Sequence, residues 1–177
     1  MRIIKGSLQR RLIHPPAKLP VRPTTDLAKE SLFNILENKL DFEGITALDL
    51  FSGTGNIAYE LASRGCERVV AVESNLRCTR FIHETATKLA IENLIVIKAN
   101  VFHFLKTKRE AFDLVFADPP YDMEGFEALA AQIIEKKILK PDGWLVIEHP
   151  KTVDFSSLTG YTETRRYGKV HFSFFQP

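Results

Sequence analysis

Residues 48–60 read Leu48-Asp49-Leu50-Phe51-Ser52-Gly53-Thr54-Gly55-Asn56-Ile57-Ala58-Tyr59-Glu60, and the change of pattern inside them decides the fold. The apolar run "ITALDL" (45–50) reads as a buried strand. It breaks into a glycine loop and resumes as a helix near 56–64. Gly53 to Ala58 fits G-x-G-x-x-[GA], and Glu73 ends the next apolar run, "RVVAVE" (68–73). In that context the glycines permit a tight turn and close backbone approach. The acid can accept hydrogen bonds from ribose hydroxyls. An adenosine-type cofactor at the carboxyl end of a parallel sheet is the expected ligand.

Outward from this unit, strands are expected at 45–50, 68–73, 94–98, 112–117 and 144–148, and helices near 56–64, 75–90, 101–107 and 124–137. Strands alternating with helices imply right-handed crossovers, a parallel sheet and helices on both faces. Their uninterrupted apolar runs suit strands buried on both sides. Pro141-Asp142-Gly143 reads as a turn before Trp144. The tail differs: "YTETRRY" and "KVHFSFF", joined through Gly168, should pair antiparallel. Upstream, Thr24 and Thr25 can cap a helix over 26–40 that gathers Leu27, Leu32, Ile35, Leu36 and Leu40 largely on one face. "RIIKGSLQRRLI" (2–13) reads as a hairpin around Gly6-Ser7, and four prolines between 15 and 23 form a connector. One domain over 1–177 is expected, with 1–23 as a basic extension.

Two cofactor classes fit the glycine loop. A dinucleotide would set its pyrophosphate on the helix N-terminus. S-adenosylmethionine would set its methionine part there, with an ammonium group seeking an acid. Asp49, just before Phe51-Ser52, is placed for that role or for bracing the loop. Asn100, after the third strand, can read an adenine edge or cap the following helix.

The fourth strand ends in Phe116-Ala117-Asp118-Pro119-Pro120-Tyr121-Asp122. Each proline lacks an N–H, and a residue before proline is pushed to extended geometry, so the chain stops pairing in a rigid turn. An exocyclic amino group on a nucleobase is a poor nucleophile because its lone pair is delocalised. The Asp118 carboxylate and the Pro119 carbonyl can hold its hydrogens and draw it out of conjugation. Tyr121 supplies a stacking face. Methyl transfer then depends mainly on proximity and orientation. No metal is required, and His14, His83, His103, His149 and His171 have no ligand spacing.

Composition is that of an ordinary globular chain, with 45% hydrophobic and 26% charged residues. No apolar run approaches the roughly 18 residues that cross a bilayer, and no secretory signal is visible. With only Cys66 and Cys78, a reducing, cytoplasmic setting is the expectation. The net charge of +2 conceals an asymmetry. Arg2, Lys5, Arg10, Arg11, Lys18 and Arg22 precede the first acid, Asp26. Such a run is either a solvated face or an arm that contacts phosphates.

An aspartate-proline-proline-aromatic turn after strand four, with a glycine motif upstream, resembles the class I methyltransferases that act on amino groups of bases or glutamine. More closely, "MRIIKG", "RPTTD" with "ESLFNIL", "LDLFSGTGNIAYELASRG", Glu73 and "FADPPY" resemble the bacterial 16S ribosomal RNA guanine-N2 methyltransferase family over nearly the whole chain. The resemblance implies a Rossmann-like fold and action on ribosomal RNA, free or within a small-subunit particle; with no clear self-association patch in the sequence, a monomer is the default expectation. The resemblance also implies S-adenosylmethionine contacts from Asp49, Phe51, Ser52, Gly53, Gly55, Glu73 and Asn100, with Arg22, Thr24 and Thr25 closing over the site. Asp118, Pro119, Pro120 and Tyr121 would face the guanine, and Arg10 and Arg11 the RNA. Leu27, Gln9 and Thr85 depart from the residues common in the family. Competing readings are another amino acceptor, a nicotinamide-dependent oxidoreductase, or a non-catalytic RNA-binding assembly factor.

Overall fold

The computed structural model describes residues 1–17, 19 and 25–177. Seven strands form one sheet in the order β3-β2-β1-β4-β5-β7-β6. They are β1 (Thr46–Leu50), β2 (Arg68–Glu73), β3 (Leu94–Lys98), β4 (Phe112–Ala117), β5 (Leu139–His149), β6 (Tyr161–Tyr167) and β7 (Val170–Phe175). The first five in that order are parallel. β7 joins β5 antiparallel, and β6 pairs with β7. Helices α1 (Asp26–Leu36), α2 (Asn56–Ser63) and α3 (Leu76–Lys88) cover one face. α4 (Val101–Thr107) and α5 (Phe126–Glu135) cover the other. This is the Rossmann-like arrangement expected, with its antiparallel tail. Strand order reverses between β1 and β4, the switch point at which open α/β sheets leave a crevice at their carboxyl edge.

Three expectations fail for physical reasons. No N-terminal hairpin of two strands forms: a single antiparallel bridge, Arg2 to Leu12, closes a turn-rich loop. The two arms share irregular main-chain bonds, such as Ile3 N–H to Arg11, Arg10 N–H to Ile3 and Ile13 N–H to Met1, and the tip of the loop bonds to α2. Ile4 and Lys5 N–H donate to the Glu60 carboxylate, and Ser7 and Leu8 N–H donate to Ser63. Gly6 lies so close to α2 that an added Cβ would sit 1.8 Å from the Ser63 carbonyl oxygen. Its φ of +93° is also one that only glycine adopts without strain.

Helix α1 stops at Leu36 rather than Leu40, and Leu27, placed on its apolar face, is 74% exposed. The buried stripe is Ala28, Lys29, Leu32, Phe33 and Leu36, a lysine among apolar residues. Pro141-Asp142-Gly143 lies inside β5 rather than before it. Asp142 takes a φ of +62° there, and the β4–β5 register shifts between Phe112 and Leu114. Gly143 allows this irregularity, because a Cβ would meet the Lys140 carbonyl oxygen at 2.9 Å.

Candidate functional site

Parallel register aligns the faces of neighbouring strands. Asp49 pairs with Ala71 on β2 and with Phe116 on β4, and Phe116 pairs with Val146 on β5. Side chains alternate along a strand, so one step of two residues puts Glu73, Asp118 and Glu148 on the same face as Asp49. Four adjacent strands therefore each bring an acid to the carboxyl edge, on the face that carries α1, α2 and α3.

The glycine loop is braced from β2. Ser52 N–H donates to the Val72 carbonyl at 3.1 Å, and Gly53 N–H donates to Glu73 Oε2 at 2.9 Å. Asn75 N–H occupies Glu73 Oε1 at 2.8 Å. An ionised carboxylate has about four acceptor positions, so ribose hydroxyls can share Glu73 with this brace. Gly53 and Gly55 have φ of +54° and +79°, and Gly55 is the N-cap of α2. A Cβ on Gly55 would meet the Tyr59 ring at 2.9 Å. Phe51 also has positive φ, and its ring meets Phe102 of α4 edge-on at 6.4 Å.

Asp49 is fully enclosed, and burial pushes its carboxyl up to about 7. Its Oδ2 has no hydrogen-bond partner. An orphaned carboxylate oxygen beside a glycine loop suits a cationic ligand group, and the ammonium of S-adenosylmethionine fits it where an anionic pyrophosphate does not. Ser52 Oγ donates to the Asp49 main-chain carbonyl at 2.7 Å. Asn100 caps α4, its Oδ1 accepting from His103 N–H at 3.2 Å, so the capping alternative is realised.

Asp118 N–H donates to the Leu50 carbonyl at 3.2 Å, which seats the proline turn directly against the strand feeding the glycine loop. Asp118 is half-buried, Pro119 buried and Pro120 exposed. Tyr121 is 47% exposed, and its hydroxyl donates to Glu148 Oε1 at 3.0 Å. Burial and the Glu148 charge push the Tyr121 phenol well above its usual range.

Thr25 caps α1, accepting from Ala28 N–H at 3.2 Å. Arg22 and Thr24 lie outside the described residues. Arg10 and Arg11 are exposed on the loop beside the Arg2–Leu12 bridge. Sequence reasoning passed over Glu148, Lys29 and Glu60. Glu148 carried a readable signal, since like Glu73 it is an acid at the end of an apolar strand. Lys29 and Glu60 had none, because only folding brings them together. Among the described residues, no group of three His, Cys, Asp or Glu side chains could hold a metal, and no helix is long and apolar enough to cross a membrane.

The family described as Conserved hypothetical protein 95 matches residues 1–176. "Putative rRNA methyltransferase YlbH" of Bacillus subtilis strain 168 is 31% identical over 175 residues, covering 95% of this chain and 94% of that protein. Ribosomal RNA small subunit methyltransferase D of Escherichia coli K12 is 30% identical over 148 residues, covering 84% and 71%. The structure of a hypothetical protein from Thermus thermophilus superposes with a TM-score of 0.88 at 26% identity, covering 100% and 99%. Near-complete coverage and a carboxyl-edge site shaped for a cationic adenosine cofactor agree: the chain belongs to this family, the S-adenosylmethionine-dependent methyltransferases that include YlbH and methyltransferase D.

Proposed function

We propose that the chain transfers a methyl group from S-adenosylmethionine to the exocyclic N2 of a guanine in 16S ribosomal RNA, acting as a cytoplasmic monomer on free RNA or a small-subunit particle. The observation that carries this reading is the Asp118–Leu50 hydrogen bond, which joins the Asp-Pro-Pro-Tyr turn to the glycine-loop strand. The relatives named for ribosomal RNA methylation supply the acceptor class. The cofactor supplies an electrophilic methyl on a sulfonium. Asp49 receives its ammonium, Glu73 its ribose hydroxyls, and Phe51, Ser52, Gly53, Gly55 and Asn100 line its seat, with Arg22, Thr24 and Thr25 closing over it. The Asp118 carboxylate and Pro119 carbonyl hold the two N2 hydrogens, so that the lone pair points along the forming N–C bond. The proton released from nitrogen passes to Asp118. Tyr121 stacks on the base beside Pro120, and residues 1–23, with Arg10 and Arg11, contact the RNA backbone.

The test uses methyl-labelled S-adenosylmethionine with ribosomal RNA and small-subunit particles from cells lacking the protein, followed by nucleoside analysis. Label on guanine N2 is expected. Asp118→Ala should keep cofactor affinity and lose about 100-fold or more in transfer, the scale of a positioned acid–base group. Label on another base, on DNA or on protein would overturn the acceptor assignment. Cofactor binding with no transfer to any acceptor would favour the assembly factor.

A further inference from the structure

Glu148 lies at the carboxyl end of β5, next to β4, and is 4% exposed. It shares the sheet face of Asp49 and Asp118. A carboxylate this enclosed needs strong donors. One of them is the Tyr121 hydroxyl, at 3.0 Å. The tyrosine it holds is about half exposed, so its hydroxyl is tethered inside the protein while its ring remains open to solvent.

We propose that Glu148 is a positioning residue for base recognition: through the Tyr121 hydroxyl it locks the ring in the orientation in which a flipped base stacks. This inference rests on the proposed nucleobase methylation. Pro119 and Pro120 restrict the backbone leading into Tyr121, but they leave its χ angles free. The Glu148 bond removes that remaining freedom. Ordering an exposed aromatic on binding costs part of the stacking gain, and an already ordered ring avoids that cost. Hydrogen bonds to charged groups are among the stronger ones, so the anchor can hold a half-exposed ring. Through this bond Glu148 acts on the acceptor half of the site.

The experiment compares Glu148→Ala, Glu148→Gln, Tyr121→Phe and the Ala/Phe double variant in full-length protein. Transfer kinetics on RNA are paired with NMR of tyrosine labelled at Cζ. The four tyrosines give one resonance each, with Tyr121 identified by its loss in Tyr121→Phe. In Glu148→Ala the Tyr121 resonance should move while the other three stay, KM for RNA should rise about tenfold, and cofactor affinity should be unchanged. Glutamine offers an acceptor oxygen without the charge, so Glu148→Gln should restore most of both signals. The double variant should be no worse than the worse single one. An unmoved Tyr121 resonance in Glu148→Ala, equal damage from Gln and Ala, or additive single effects would each overturn the proposal. If the wild-type protein transfers nothing to RNA, the functional reading fails by itself, and the Tyr121 resonance still decides whether the anchor exists.

Discussion

Asp49 shows how much a single buried carboxyl can decide. Burial holds it near pH 7, far above the ordinary aspartate range, so the folded protein keeps its proton where the unfolded chain has lost it. The sign follows. Between about pH 4 and 7 the folded state binds more protons, so the stability of the ligand-free protein falls as pH rises. A cationic ligand group reverses the preference by favouring the carboxylate. Cofactor affinity should therefore strengthen as pH rises towards 7 and level off above it, with proton release on binding. Titration calorimetry across that range checks this, and Asp49→Asn should flatten the profile while weakening binding. At this scale the places of Asp49, Glu73 and Asp118 at the carboxyl edge were legible, because each lies at or beside a strand end in a marked sequence context. Asn100 was not, since a cap and a ligand contact draw on the same amide.

Among the elements, the joint between α1, α2 and the N-terminal loop was hidden from the sequence. Lys29 of α1 donates to the Arg2 carbonyl and to Asn56 Oδ1 at the start of α2, and lies 3.5 Å from Glu60 Oε2. Arg64 Nε reaches Glu60 Oε1 at 2.8 Å. Burial lowers the Lys29 pKa, with Glu60 opposing the shift. Lys29→Met should cost about 3–5 kcal/mol in denaturant unfolding, the scale for breaking a buried pair. Removing Glu60 as well should not recover that loss, because the N–H groups of Ile4 and Lys5 would then be orphaned. The failed hairpin has the same origin. Two short basic runs around a glycine suggest strands, but Ile4, Lys5, Ser7 and Leu8 take partners on α2, Glu60 and Ser63, which leaves the two arms the irregular pairing near Ile3 and Arg11. Helix α1 likewise follows contact rather than composition: Leu27 faces outwards while Lys29 is buried.

The whole molecule separates its work by position. The switch point between β1 and β4 brings the glycine loop and the proline turn together, and the N-terminal loop lies along α2. Met1 Sδ accepts from Thr54 Oγ1 at one end of that helix, and Ser7 meets Ser63 at the other. Arg10 and Arg11 therefore stand on a surface docked to the same helix whose N-terminus follows the glycine loop. Replacing both with Gln should weaken RNA binding and flatten its salt dependence by about 1.4 to 1.8 in logarithmic slope, the loss of two phosphate contacts. Fluorescence titrations over a salt series check this, and an unchanged slope would remove the arm from the interface. The antiparallel tail extends the sheet beyond β5, where Phe172 and Phe174 join the apolar layer on the face that carries α1, α2 and α3.

The sequence by itself determined the sheet, its parallel direction, the glycine loop and the rigid turn. Each of these is local: apolar period, glycine permissiveness and the missing N–H of proline act within a few residues. Only the tertiary structure decided which polar groups meet. Lys29 and Glu60 are separated in the chain, as are Tyr121 and Glu148, and the N-terminal loop lies far in sequence from Ser63. Their pairing is set by strand order, register and helix docking, because a buried polar group takes whichever partner the fold brings within hydrogen-bonding distance.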